Sequence, residues 1–87
     1  MNNQNQQLST ELKNKGNELF RSGSYAEAIS YYKQAIDVDQ SNPILHSNLA
    51  QALLNTHDYH EAYLHSNIAR SLDKTEIKHI SRLFQAL

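Results

Sequence analysis

Apolar residues recur along the chain at the three- and four-residue spacing of amphipathic helices. The stripes lie within residues 8–20, 25–38, 45–53, 59–72 and 75–87. The pattern predicts an all-α fold with helices over residues 9–22, 25–38, 43 to about 56, 59–72 and 75–87. Residues 1–8 are rich in Asn and Gln, and we predict that they form a disordered polar tail.

Residues that start or stop helices mark the ends of these segments. Ser9 or Thr10 is the expected N-cap of the first helix, and Thr75 is the expected N-cap of the last. Gly23 is placed to stop the first helix in the left-handed conformation. Pro43 is predicted to open the third helix, where its missing N–H costs nothing.

The chain repeats itself with a period of 34 residues. Tyr25, Glu27 and Ala28 recur as Tyr59, Glu61 and Ala62, and Leu19 recurs as Leu53. A period of 34 residues with two helices is the signature of tetratricopeptide repeats. The sequence therefore predicts an α-solenoid of two helical hairpins, with repeats at residues 9–42 and 43–76. Small residues stand at the equivalent positions Gly16 and Ala50, where they let the two helices of each repeat approach closely.

The third copy of the pattern is incomplete. Phe84 stands where the repeats carry Gly16 and Ala50, and it is too large for close packing of a further hairpin. The sequence also ends before a partner helix could form. Residues 75–87 are therefore predicted to be a capping helix that covers the fourth helix.

Charge and composition limit the class of partner. The chain of 87 residues has 8 Lys plus Arg against 9 Asp plus Glu, a formal net charge of -1. Neither nucleic acid nor an anionic membrane is expected to bind, because no global positive field attracts them. The absence of Cys excludes disulfides and thiolate zinc sites. We expect a cytoplasmic or nuclear protein, because the N-terminus lacks the basic and apolar regions of a signal peptide.

Cationic and amide side chains are predicted to line one groove of the solenoid. The first helix of each repeat faces that groove, and its outward positions are Lys13, Asn17, Asn48, Lys78 and Arg82. Lys13 and Asn17 are four residues apart, about 40° around a helix, so they project from one face. Lys, Arg and Asn donate hydrogen bonds to carboxylates, so the sequence predicts a site for a carboxylate-rich peptide end.

The sequence around these positions resembles a known family. The stretches are LKNKGNELF at 12–20, HSN at 46–48 and KHISR at 78–82. They look like the two-carboxylate clamp of tetratricopeptide cochaperones, including small adaptors with two repeats and a capping helix. Gln40 departs from the family pattern, which has proline there, and His46 stands where an aromatic residue is common.

The resemblance implies a partner and a role for each residue of the clamp. The expected ligand is the C-terminal Glu-Glu-Val-Asp of a heat-shock chaperone, with the 90-kDa class favoured over the 70-kDa class. Lys13, Asn17 and Asn48 would cradle the terminal carboxylate, Lys78 would pair with the last Asp side chain, and Arg82 would hold the upstream peptide. An adaptor of this kind is not an enzyme, has no cofactor, and links the chaperone to a second protein.

Two alternatives have different sequence signals. A structural scaffold or oligomer subunit would bind partners through its convex face or its open end, around Leu83, Phe84 and Leu87. A metal-dependent hydrolase would use His60 and His65, but residues at i and i+5 are about 140° apart on a helix. One metal ion cannot be held by both from one face, so we expect no metal site.

Overall fold

The computed structural model describes residues 2–73, and this part of the chain consists of four α-helices and their connections. They are α1 (Asn2–Arg21), α2 (Tyr25–Val38), α3 (Pro43–Asn55) and α4 (Tyr59–Leu72). The predicted all-α fold is confirmed, and α2 and α4 have the predicted ends. The predicted capping helix at 75–87 lies outside the described residues.

The start of α1 differs from the prediction. The helix begins at Asn2 and includes most of the segment that was predicted to be a disordered tail. Ser9 is not an N-cap but a buried residue inside the helix, 2% exposed, and its hydroxyl donates to the carbonyl of Gln6 at 3.4 Å. Gln7 donates to Glu11 one turn later. Gln is a good helix former, and such i, i+4 pairs support a helix, so the polar composition did not prevent helix formation.

The four helices form two hairpins that pack on each other. Helix α1 packs on α2, α3 packs on α4, and α2 joins the hairpins through its contact with α3. The shared core contains buried residues from both hairpins, namely Ala28, Tyr32, Leu49, Ala52, Leu53 and Ala62. Complete burial of one Leu stabilises a fold by about 1.5 to 3 kcal/mol, so this core ties the repeats together.

The start of α3 has the predicted local chemistry. Pro43 lies in the first turn, and the side-chain oxygen of Asn42 accepts a hydrogen bond from the backbone N–H of Ile44 at 3.0 Å. This bond satisfies one of the N–H groups that every helix start leaves free. The entry into the second repeat is thereby fixed, which positions the residues of α3 against α2 and α4.

Candidate functional site

Lys13 and Asn17 lie one turn apart on α1, as the sequence predicts. Both side chains are half-buried. Lys13 forms no ion pair with any side chain among residues 5–73, where the ion pair present joins Lys33 to Glu61. The ammonium group of Lys13 is therefore available to an anion as far as the described residues are concerned.

Asn17 and Asn48 meet between the two repeats. The side-chain N–H of Asn48 donates to Oδ1 of Asn17 at 3.4 Å, although the two residues are far apart in sequence. The hydroxyl of Tyr32, from α2, donates to the same Oδ1 at 2.5 Å. Three helices thus contribute one side chain each to a small polar network.

In this network the NH₂ end of the Asn17 amide is the free end. A carbonyl oxygen has two lone pairs, and both are used by the hydroxyl of Tyr32 and the amide of Asn48. The NH₂ group of Asn17 donates to no side chain or backbone oxygen of the described residues. It can therefore donate two hydrogen bonds to a ligand, and a carboxylate accepts such bonds.

The other half of the predicted clamp cannot be placed. Lys78 and Arg82 lie outside the described residues, and so do Leu83, Phe84 and Leu87 of the alternative open-end surface. The structure brings Asn17 and Asn48 into contact and places Lys13 one turn from Asn17. The roles of all five residues in ligand binding stay predictions.

The second repeat contains a histidine pair that the sequence reasoning missed. Nδ1 of His46 lies 3.0 Å from Nδ1 of His65, and the two rings stack. Nε2 of His46 lies 3.0 Å from the carbonyl oxygen of Gln40. Because a carbonyl oxygen only accepts, Nε2 of His46 is the donor in this contact. With His46 neutral, its Nδ1 carries no proton and accepts from Nδ1–H of His65.

The histidine pair has an electrostatic consequence. Burial lowers the pKa of His65, because the charged ring would lose hydration, and the neighbouring His46 lowers it further. The pair therefore resists protonation of His65. A signal was present in the sequence, since the equivalent residues of the first repeat are Leu12 and Tyr31, neither of which is a histidine.

His60 and His65 of α4 do not point toward a common position at which a metal ion could bind. His60 is exposed on α4, whereas His65 on the same helix faces His46. Within the part of the chain that the structure describes, no three His, Cys, Asp or Glu side chains are grouped to hold a metal ion. No helix in that part is long and apolar enough to cross a membrane.

Comparison with known proteins identifies the class. Residues 16–56 match the family model described as TPR repeat. The Hsp70-Hsp90 organizing protein 3 of Arabidopsis thaliana is 42% identical over 55 residues, which are 63% of this chain and 10% of that protein. The chain thus spans about a tenth of the length of this relative.

Two solved structures share the fold. One is the first TPR of Spaghetti (RPAP3) bound to HSP90 peptide SRMEEVD, with 37% identity and a TM-score of 0.77 over 78% of this chain and 54% of that chain. The other is the second TPR of the same protein with the same peptide, with 37% identity and a TM-score of 0.78 over 82% of this chain and 66% of that chain. The chain has the tetratricopeptide-repeat fold, and its residues 16–56 match that repeat family. Its repeats resemble those of cochaperones, which confirms the resemblance seen in the sequence.

Proposed function

We propose that this chain is a non-catalytic adaptor that binds the free C-terminus of a heat-shock chaperone ending in Glu-Glu-Val-Asp. The observation that carries the proposal is the contact of Asn17 with Asn48, which leaves the NH₂ group of Asn17 free for an acceptor. Two structural relatives bind an HSP90 peptide with this ending, and their likeness to this chain supports the same ligand class. The 90-kDa class is favoured for that reason.

The proposed clamp assigns different acceptors to different residues. Lys13, Asn17 and Asn48 bind the terminal carboxylate, Lys78 pairs with the side chain of the last Asp, and Arg82 holds the upstream peptide. Hydrogen bonds between charged groups contribute about 1.5 to 3 kcal/mol each, and the ordering of the peptide offsets part of that gain. The affinity is therefore expected to be on the order of micromolar.

Calorimetric titration with SRMEEVD and with its C-terminally amidated form tests the proposal. Amidation removes the terminal negative charge, so we expect affinity to fall by about tenfold or more. Lys13→Ala should weaken binding of the free peptide by about tenfold, which corresponds to about 1.4 kcal/mol. Lys15→Ala is the matched control, because Lys15 is an exposed lysine of the same helix.

The outcomes separate the adaptor from its rivals. Equal binding of the free and amidated peptides would contradict the proposed carboxylate clamp. A scaffold that uses its convex face or open end would keep its partners when Lys13 or Arg82 is replaced by Ala. Titration with the C-terminal peptide of the 70-kDa class, beside that of the 90-kDa class, measures which chaperone is preferred.

A further inference from the structure

Tyr32 makes two separate contacts with α1. Its ring covers Gly16 so closely that a Cβ atom there would lie 2.6 Å from Cε1 of the ring. Its hydroxyl donates to Oδ1 of Asn17 at 2.5 Å. The side chain is only 2% exposed, so the ring has no room to swing away from either contact. Packing therefore holds the phenol in place, with its O–H group pointing at Oδ1 of Asn17.

Two hydrogen bonds hold the Asn17 amide, and the one from the hydroxyl of Tyr32 is the stronger. The bond from Asn48 is 3.4 Å long, beyond the usual 2.7 to 3.2 Å for N–H donors. Without the hydroxyl, Oδ1 of Asn17 would keep only this long bond. The amide could then rotate about its last torsion, which has a broad and roughly two-fold preference.

We infer that Tyr32 is a positioning residue, which holds the Asn17 amide with its NH₂ group toward a carboxylate in the groove. The inference rests on the proposed function, which supplies the carboxylate. Tyr32 itself need not touch the ligand. The phenol of Tyr32 stays protonated, because burial raises its pKa above the ordinary value despite the opposing charge of Arg21.

The positioning has a consequence for specificity. A carboxylate only accepts hydrogen bonds, whereas an amidated peptide end also carries N–H donors. A fixed NH₂ group therefore favours the free acid. A freely rotating Asn17 could turn its oxygen to the amidated end and bind it equally well.

Tyr32→Phe removes the hydroxyl and keeps the ring over Gly16. We expect this variant to bind SRMEEVD about three- to tenfold more weakly and the amidated peptide no more weakly than the wild-type chain. The ratio of the two affinities, and not the affinity alone, reports orientation. Tyr31→Phe is the matched control, because Tyr31 is the half-buried neighbour on α2, and it should leave the ratio unchanged.

NMR of the side-chain amide of Asn17 reads the same orientation without a ligand. The two NH₂ signals, assigned by their loss in Asn17→Asp, should shift in Tyr32→Phe and stay in place in Tyr31→Phe. In the wild-type chain, cross peaks from the Tyr32 ring to these protons should be weak, because the oxygen faces the ring. This last measurement is made on the wild-type chain, so it does not depend on the folding of Tyr32→Phe.

The two experiments fail in different ways. If the wild-type chain binds the free and amidated peptides equally, the proposed function is lost, and the NMR signals still decide the orientation of Asn17. Unchanged signals and an unchanged affinity ratio in a folded Tyr32→Phe would overturn the positioning role. Strong cross peaks from the ring to the NH₂ protons of the wild-type chain would overturn it as well.

Discussion

Gly16 is the residue at which the packing of the first repeat and the candidate site depend on each other. The ring of Tyr32 occupies the space where a Cβ atom of residue 16 would lie, and the hydroxyl of the same ring reaches Asn17. Any displacement of the ring would therefore disturb the next residue of α1. Gly in a helix interior costs roughly 0.5 to 1 kcal/mol relative to Ala, so its presence here needs a packing reason.

Gly16→Ala should destabilise the chain. Overpacking of a close contact costs typically about 1 to 3 kcal/mol, and the better helix propensity of Ala returns about 1 kcal/mol of this. We expect the free energy of unfolding to fall by up to about 2 kcal/mol in urea denaturation.

The double variant with Tyr32→Leu controls for this explanation. With the ring removed, the Ala side chain has space, so the same Gly16→Ala change should be neutral or stabilising in that background. An equal loss of stability in both backgrounds would mean that the ring does not cause the effect.

At the scale of the helices, the two hairpin turns use the same hydrogen bonds. In the first turn, Ser24 N–H donates to the Leu19 carbonyl and Gly23 N–H to the Phe20 carbonyl. In the second turn, the residues one period later repeat both bonds: Asp58 N–H donates to Leu53 and His57 N–H donates to Leu54. The period therefore predicts the backbone of both turns, since this pattern ends many helices.

The second turn also shows where sequence reasoning is limited. Gly23 has a φ of 86°, as its residue type predicts, whereas His57 has a φ of 65° without being a glycine. Histidine is a weaker signal for this conformation than glycine, so the indication comes from the 34-residue period, which aligns His57 with Gly23. The start of α1 at Asn2 has a different cause, since hydrogen bonds within the helix, such as that from Gln7 to Glu11, do not follow from an Asn- and Gln-rich composition.

The pair of His46 and His65 joins α3 to α4 and should make stability depend on pH. The folded pKa of His65 lies below its ordinary value of 6.5, and Glu61 only partly offsets the effects of burial, His46 and Lys33. As pH falls through 6.5, the unfolded chain therefore takes up protons that the folded chain resists. The contribution of His65 is present above this pH and is lost as pH falls toward the folded pKa.

Thermal unfolding at about pH 7.5 and about pH 5 measures this effect. The midpoint of the wild-type chain should fall more steeply with acid than that of His65→Gln, which does not titrate. His60→Gln removes an exposed histidine of the same helix and should keep the wild-type slope. Identical slopes for His65→Gln and the wild-type chain would contradict the role of the pair.

At the scale of the whole molecule, the 34-residue period predicts the fold. The polar network of Asn17, Tyr32 and Asn48 depends instead on tertiary contacts between helices. The period places Tyr32 among packing residues, and the same assignment hides the fact that its hydroxyl has a hydrogen-bond partner on α1. Spacing on one helix predicts that Lys13 and Asn17 share a face. That Asn17 meets Asn48 depends on how one hairpin lies on the other, which no spacing within a single helix encodes.

Ligand binding should stabilise the entire chain, because the proposed clamp uses residues from both repeats. A ligand at one hundred times its Kd adds about 2.7 kcal/mol to the free energy of unfolding. For a domain of this size, each kcal/mol raises Tm by about 4 to 8 °C. SRMEEVD at this concentration should therefore raise Tm by about 10 to 20 °C, and the amidated peptide, with about tenfold lower affinity, should raise it about half as much.

Salt supplies the control for this thermal shift. Added NaCl screens exposed charges. In the proposed clamp, Lys, Arg and Asn donors bind the terminal carboxylate and acidic side chains of the peptide, so the shift from the free peptide should shrink between about 0.05 and about 0.5 M NaCl. A shift that stays constant with salt and is the same for both peptides would mean that apolar contacts hold the peptide. The groove would then recognise shape, and the terminal carboxylate would have no part in binding.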